Sequence, residues 1–156
     1  MPAALAPAAL PTLAEVMNRA TQLQQAGQGE AAAAVYEDWL SRTDGPLRHV
    51  ASFNLGTVLS TLGRDDAAEA AYRDALACQT DFAPALLNLG HLLERRGHKD
   101  TALAEWQRVI DADPAPLLEH RLHALNNSAR VLEVMKRLPE AEALMRRSLE
   151  LQPQQP

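Results

Sequence analysis

His120 and His123, three residues apart with Glu119 beside them, are side chains of metal-binding type that fall on one helical face. A closed zinc site takes four ligands and often includes cysteine. The surrounding sequence supplies no others, so solvated histidines on a helix surface are expected and no metal site is assigned. Cys78 is the single cysteine. It cannot form an internal disulfide and has no evident base partner, so a buried, inert thiol is expected. Gly27-Gln28-Gly29 has glycines at close spacing, but no strand precedes it, and it reads as a turn rather than a phosphate loop. These residues assemble no catalytic constellation. The chain by itself is not expected to be an enzyme or to need a cofactor.

The residue type that does recur is asparagine. Asn18, Asn54, Asn88 and Asn127 hold the same place in four similar segments. A carboxamide offers both a donor and an acceptor, so such a row can pair with the backbone of an extended peptide whatever its side chains are. Asparagine is mediocre inside a helix, which implies that something other than helix formation favours it. The alternative is that each asparagine ties one helix to its neighbour.

The elements that position this row are organised around Ala83 to Pro116. That stretch reads Leu86-x-x-Leu89-Gly90-x-x-Leu93, then Gly97, Ala102-x-x-x-Trp106, Val109-Ile110 and Asp113-Pro114. The apolar residues recur at three- and four-residue spacing, so two helices each carry one apolar stripe facing the other. Gly90 and Ala102 are small where the helices are expected to cross. Pro114 cannot continue a helix interior and marks a break.

The same register holds in residues 49–82 (Leu55-Gly56-x-x-Leu59, Gly63, Ala68-x-x-x-Tyr72), 13–46 (Ala20-x-x-Leu23, Gly27, Ala32-x-x-x-Tyr36) and 122–155 (Leu125, Ala129-x-x-Leu132, Ala141-x-x-x-Met145, Pro153). A spacer, 117–121, precedes the last segment. Departures concentrate in the two end segments: Arg19 and Ser128 where leucine is usual, and Trp39 and Ser148 where alanine is usual.

This pattern resembles the tetratricopeptide repeat family, whose unit of about 34 residues is a helix-turn-helix. The resemblance covers residues 13–155 and implies an all-α fold, a right-handed α-solenoid of four repeats. It further implies that the first helix of each repeat lines a concave groove. The groove residues are then Asn18, Asn54, Asn88 and Asn127, with Phe53, Thr57, Leu87, His91, Arg95 and Arg130 around them. The implied activity is to hold an extended protein or peptide segment. Members that clamp acidic chaperone tails carry lysines and an asparagine where this chain has Met17, Thr21, Pro84 and Asn88, so that partner is not expected. The array is similar, more narrowly, to the repeats of bacterial glycosyltransferases of the O-linked N-acetylglucosamine transferase (Spindly-like) family. The strings that carry this are Phe53-Asn-Leu-Gly, Glu105-Trp-Gln-Arg-Val-Ile and the run from Ala141 to Pro153. That likeness implies a substrate-recognition segment whose catalytic domain would lie outside these residues.

Composition agrees. The chain has 15 Lys and Arg against 20 Asp and Glu, a net charge of −5. The charges are interspersed, which implies neither a nucleic-acid patch nor a polybasic membrane anchor. No run approaches the roughly 18 apolar residues of a membrane span, and residues 1–12, rich in Pro and Ala, lack the basic segment of a secretory signal. A flexible lead-in and a cytoplasmic protein are expected.

Helices are expected over about 13–26, 29–43, 47–62, 65–79, 83–96, 99–112, 117–137 and 139–151, with Leu138-Pro139 replacing the glycine turn in the last repeat. The spacer should lengthen the seventh helix to about six turns. The eighth should expose Leu144 and Leu151, an edge for self-association or for a following segment.

Overall fold

The computed structural model describes residues 9–152. Residues 1–8 of the lead-in and the end of the fourth repeat, including Pro153, lie outside the described residues. Eight helices follow one another, and no strand occurs among the described residues: α1 (Leu13–Gln25), α2 (Gly29–Ser41), α3 (Arg48–Thr61), α4 (Asp65–Cys78), α5 (Ala83–Arg95), α6 (Lys99–Asp111), α7 (Leu118–Val134) and α8 (Leu138–Leu151). The fold is the all-α array of helix pairs that the repeats imply. Two compact units divide within α4, after Ala71.

In the first unit α2 packs against both α1 and α3. Leu13, Val16, Ala20, Ala32 and Tyr36 are buried between the first two helices. Thr12 caps α1 in a reciprocal box: its hydroxyl accepts from the Glu15 backbone N–H at 3.3 Å, and the Glu15 carboxylate accepts from the Thr12 N–H at 2.7 Å. Trp39 is buried, and its indole N–H donates to the Pro11 carbonyl at 2.8 Å. The large residue in a small residue's place therefore fastens the end of the lead-in to α2.

In the second unit α5 pairs with α6, α7 with α8, and α7 also packs on α5 and α6. Trp106 is fully buried, and its indole N–H donates to the Leu87 carbonyl at 3.2 Å. Gly90 makes room for it: a Cβ there would lie 2.6 Å from Trp106 Cε2. The small residue at the crossing is thus required by the aromatic one.

Within each repeat one turn recurs. Gly27, Gly63 and Gly97 have φ of 74°, 74° and 85°, and Lys136 takes the same left-handed conformation at 62°. Each follows a helix whose last turn closes with the same pair of bonds, for example Gly97 N–H to Glu94 O at 2.9 Å and His98 N–H to Leu93 O at 2.8 Å. At the fourth position the pair is Lys136 N–H to Glu133 O at 3.0 Å and Arg137 N–H to Leu132 O at 2.9 Å. This is the Schellman closure, which satisfies carbonyls at a helix C-terminus.

The structure corrects several expectations. The glycine turn of the last repeat is replaced by Lys136, not by Leu138-Pro139. Pro139 instead sits in the first turn of α8, where its missing N–H is not needed. Consequently α7 stops at Val134 with 17 residues, roughly five turns instead of six. Cys78 is exposed, not buried, because it is the last residue of α4 while Leu76 takes the interior position. On α8 the outward residues are Met145 and Leu149, 38% and 72% exposed, whereas Leu144 and Leu151 are half-buried. Leu144 turns toward α6, lining a pocket with Leu103 and Gln107. Met145 and Leu149 lie one helical turn apart on the free side.

Candidate functional site

The asparagine row divides between the units. In the second unit, Asn88 on α5 is half-buried, and its Nδ2 donates to the Tyr72 hydroxyl at 3.4 Å. Asn127 on α7 is half-buried, and its Nδ2 lies 3.3 Å from His91 Nε2 on α5. One turn along, Arg130 makes a two-pronged bond to Glu94: Nη1 to Oε1 at 2.8 Å and Nη2 to Oε2 at 2.7 Å. The two first helices of these repeats therefore present one connected polar face: Asn88, His91, Glu94, Asn127 and Arg130.

Charge on this face is set by neighbours. His91 stands edge-on to Trp106, with ring centres 5.4 Å apart and planes at 66°. Partial loss of solvent is the main cause that lowers the His91 pKa; Glu94 opposes it, while Arg130 and His123 add to it. The ring is thus biased to the neutral form that can accept from Asn127 Nδ2. Arg130 holds the Glu94 carboxyl below its ordinary value, chiefly through the hydrogen bonds, and partial burial of Glu94 works against this.

In the first unit, Asn54 and Phe53 on α3 are half-buried, and Asn54 Nδ2 is buried without a hydrogen-bond partner. Thr57 donates its hydroxyl to the Phe53 carbonyl at 3.1 Å. Asn18 is exposed on α1 and borders a pocket of about 740 Å³ walled by Val16, Ala34, Val35 and Trp39. It differs in this from the other three, which are half-buried. Arg95 is exposed at the end of α5. Leu87, expected in the groove, is only 6% exposed and belongs to the core around Trp106.

A tetratricopeptide repeat model matches residues 17–83 and 87–156, most of the chain. The chain belongs to the tetratricopeptide repeat family. No curated protein matches it closely enough to be reported as a relative. Among solved structures, it is similar to a tetratricopeptide repeat protein from Parabacteroides merdae, with TM-score 0.78, 20% identity, and coverage of 90% of this chain and 54% of that one. It is also similar to MamA, with TM-score 0.74, 19% identity, and coverage of 88% and 77%. A third likeness is to the first repeat domain of Spaghetti (RPAP3) bound to the HSP90 peptide SRMEEVD, with TM-score 0.64, 16% identity, and coverage of 78% and 93%. At these identities the likeness establishes the fold alone.

Within the tetratricopeptide register the end-repeat departures have physical reasons. Arg19 is exposed at the pocket by α1, where a polar side chain faces solvent. Ser148 is buried and donates its hydroxyl to Asn126 Oδ1 at 2.9 Å, tying α8 to α7. Ser128 is different: it is 2% exposed, and its hydroxyl has no hydrogen-bond partner. Sequence reasoning missed the Arg130–Glu94 pairing as a locked element, although the two residues occupy groove positions of successive repeats. Among the described residues no group of three or more His, Cys, Asp or Glu converges in a metal-binding arrangement, and no helix is long and apolar enough to cross a membrane.

Proposed function

We propose that this chain is a protein-binding scaffold of the cytoplasm that holds an extended partner segment against its first-helix faces. The observation that carries this reading is the polar face of α5 and α7, where Asn88 and Asn127 hold side-chain amides in repeated register beside His91 and Arg130. Their bonds to neighbouring repeats are long, at 3.3 and 3.4 Å, so a peptide carbonyl or N–H can compete for the carboxamides. Phe53, Thr57 and Asn54 supply the corresponding face of the first unit. The peptide complex of a structural neighbour supports the mode of binding. An acidic tail such as SRMEEVD is not the favoured partner, since Met17 stands where a carboxylate clamp carries lysine, Thr21 where it carries asparagine, and Pro84 and Asn88 where it carries a Lys/Arg pair.

The test is the Asn54→Ala, Asn88→Ala double variant against a library of extended peptides. Alanine is the better helix former, so the fold should persist. Affinity for any selected peptide should fall about 2- to 13-fold per lost hydrogen bond, the equivalent of roughly 0.5–1.5 kcal/mol. Unchanged affinity removes these residues from the site. A large fall in Tm shows that the amides serve the fold.

A narrower reading makes this face the substrate-recognition segment of a protein O-glycosyltransferase, on the strength of the strings at Phe53, Glu105 and Ala141. Sequencing the gene beyond codon 156 tests it: a downstream glycosyltransferase domain supports it, and a stop codon removes it.

A further inference from the structure

The contact between Asn127 and His91 is one of nitrogen to nitrogen: Nδ2 on α7 lies 3.3 Å from Nε2 on α5. A carboxamide nitrogen only donates, so the ring nitrogen facing it has to accept, and the ring has to be neutral with its proton on Nδ1. Neighbours hold the ring in this pose. Trp106 stands edge-on to it, ring centres 5.4 Å apart, and the indole N–H is already spent on the Leu87 carbonyl at 3.2 Å. Glu94, one turn along α5, has both oxygens on Arg130, at 2.8 and 2.7 Å. Among the described residues Asn127 is the one side chain hydrogen-bonded to the ring.

This contact decides which end of the carboxamide is offered outward. With Nδ2 turned to His91, Asn127 has Oδ1 left, and that oxygen bonds to no described residue. Asn88 differs: its Nδ2 meets the Tyr72 hydroxyl, which can accept or donate and so imposes no sense on the amide. Within the scaffold function proposed above, on which this rests, we propose that His91 is a positioning residue that makes Asn127 an acceptor, so that this point of the face reads a backbone N–H of the partner and not a carbonyl.

Protonation of His91 reverses the sense. An imidazolium sets an N–H against the carboxamide NH₂, and two donors cannot pair. The terminal torsion of asparagine is broad and roughly two-fold, so the amide turns over, with Oδ1 to the ring and Nδ2 outward. Loss of solvent, with Arg130 and His123 on α7, opposes the charge on the ring, and Glu94 on α5 favours it. From α6 the ring meets the uncharged Trp106. Above pH 6.5 the neutral ring therefore prevails, and with it the acceptor.

The first measurement needs no ligand. Side-chain ¹⁵N spectra of the full chain from pH 8 to pH 4.5 should show neutral His91 carrying its proton on Nδ1. Overhauser contacts from the Asn127 Nδ2 protons to the His91 ring should be present above the His91 midpoint and lost below it. A neutral ring protonated on Nε2, or contacts that ignore the titration, overturns the proposal. The second measurement uses a blocked peptide of uncharged residues, selected at pH 8 from a library of extended segments. Methylating its backbone nitrogens one at a time should reveal a position where affinity falls about 2- to 13-fold, the worth of one neutral hydrogen bond. Asn127→Ala should erase that penalty. Wild-type affinity should drop by a similar factor as pH falls through the His91 midpoint. His91→Gln, whose Oε1 can accept from Asn127 at every pH, should keep the methylation penalty and lose the pH dependence, whereas His91→Phe should lose both. A penalty that survives Asn127→Ala, or affinity that ignores His91 protonation, overturns the proposal. If no such peptide binds at any pH, the scaffold function fails, and the spectra alone decide whether His91 positions Asn127.

Discussion

Lys136 is a natural experiment on the inter-helix turn. Three turns use glycine at the left-handed position, and the fourth uses lysine with φ of 62°. An L-residue pays roughly 1–2 kcal/mol to adopt that conformation, whereas glycine carries about 0.5–1 kcal/mol of extra backbone entropy that is lost on folding. Lys136→Gly should therefore stabilise the protein by about 0.5–1 kcal/mol. Gly97→Ala should destabilise it by a similar amount. The reverse change is clean, because a Cβ on Gly97 meets nothing within 4 Å, so only backbone strain is added.

Thermal melts followed by far-ultraviolet circular dichroism read both variants. For a chain of this length, 1 kcal/mol moves Tm by about 2–4 °C, so Lys136→Gly should melt about 1–4 °C higher and Gly97→Ala about 1–4 °C lower. Lys136→Ala is the control for charge: it keeps the left-handed strain and should melt with the wild type, since Lys136 is exposed. A fall in Tm for Lys136→Gly, or a rise for Lys136→Ala equal to that for Lys136→Gly, refutes the backbone argument.

Two further outcomes follow from the second unit. Gly90→Ala should cost about 1–3 kcal/mol by overpacking, because the new Cβ runs into the Trp106 ring; a combined Gly90→Ala, Trp106→Leu variant should recover part of the loss in a chemical-denaturation series. Acidification should destabilise the fold in two steps. The His91 contribution is full above the unfolded value of 6.5 and declines as pH falls through it, since burial lowers the folded pKa. The Glu94 contribution is present above 4.5 and is lost as pH falls through its lowered folded pKa. His91→Gln should flatten the first step and Arg130→Met the second, in Tm measured from pH 8 to pH 3.

The periodic apolar stripes and the Gly27, Gly63 and Gly97 turns made the helix order legible, because each helix must bury its stripe against a neighbour at the same offset. The fourth turn was equally available: Lys136 stands at the offset of those glycines. Its residue type hides it, because lysine carries no turn signal and the nearby Pro139 does. Ser128 is buried at a leucine offset and lines a pocket with Leu103 and Leu144, a relation between α6, α7 and α8 that periodicity along one helix does not contain. The asparagine row is the opposite case. Its spacing was visible at once, but whether a carboxamide serves the fold or a ligand depends on partners across the helix pair. Asn88 reaches Tyr72 and Asn127 reaches His91, while Asn18 is exposed. A peptide carbonyl that pairs with Nδ2 of Asn88 or Asn127 must therefore displace those bonds.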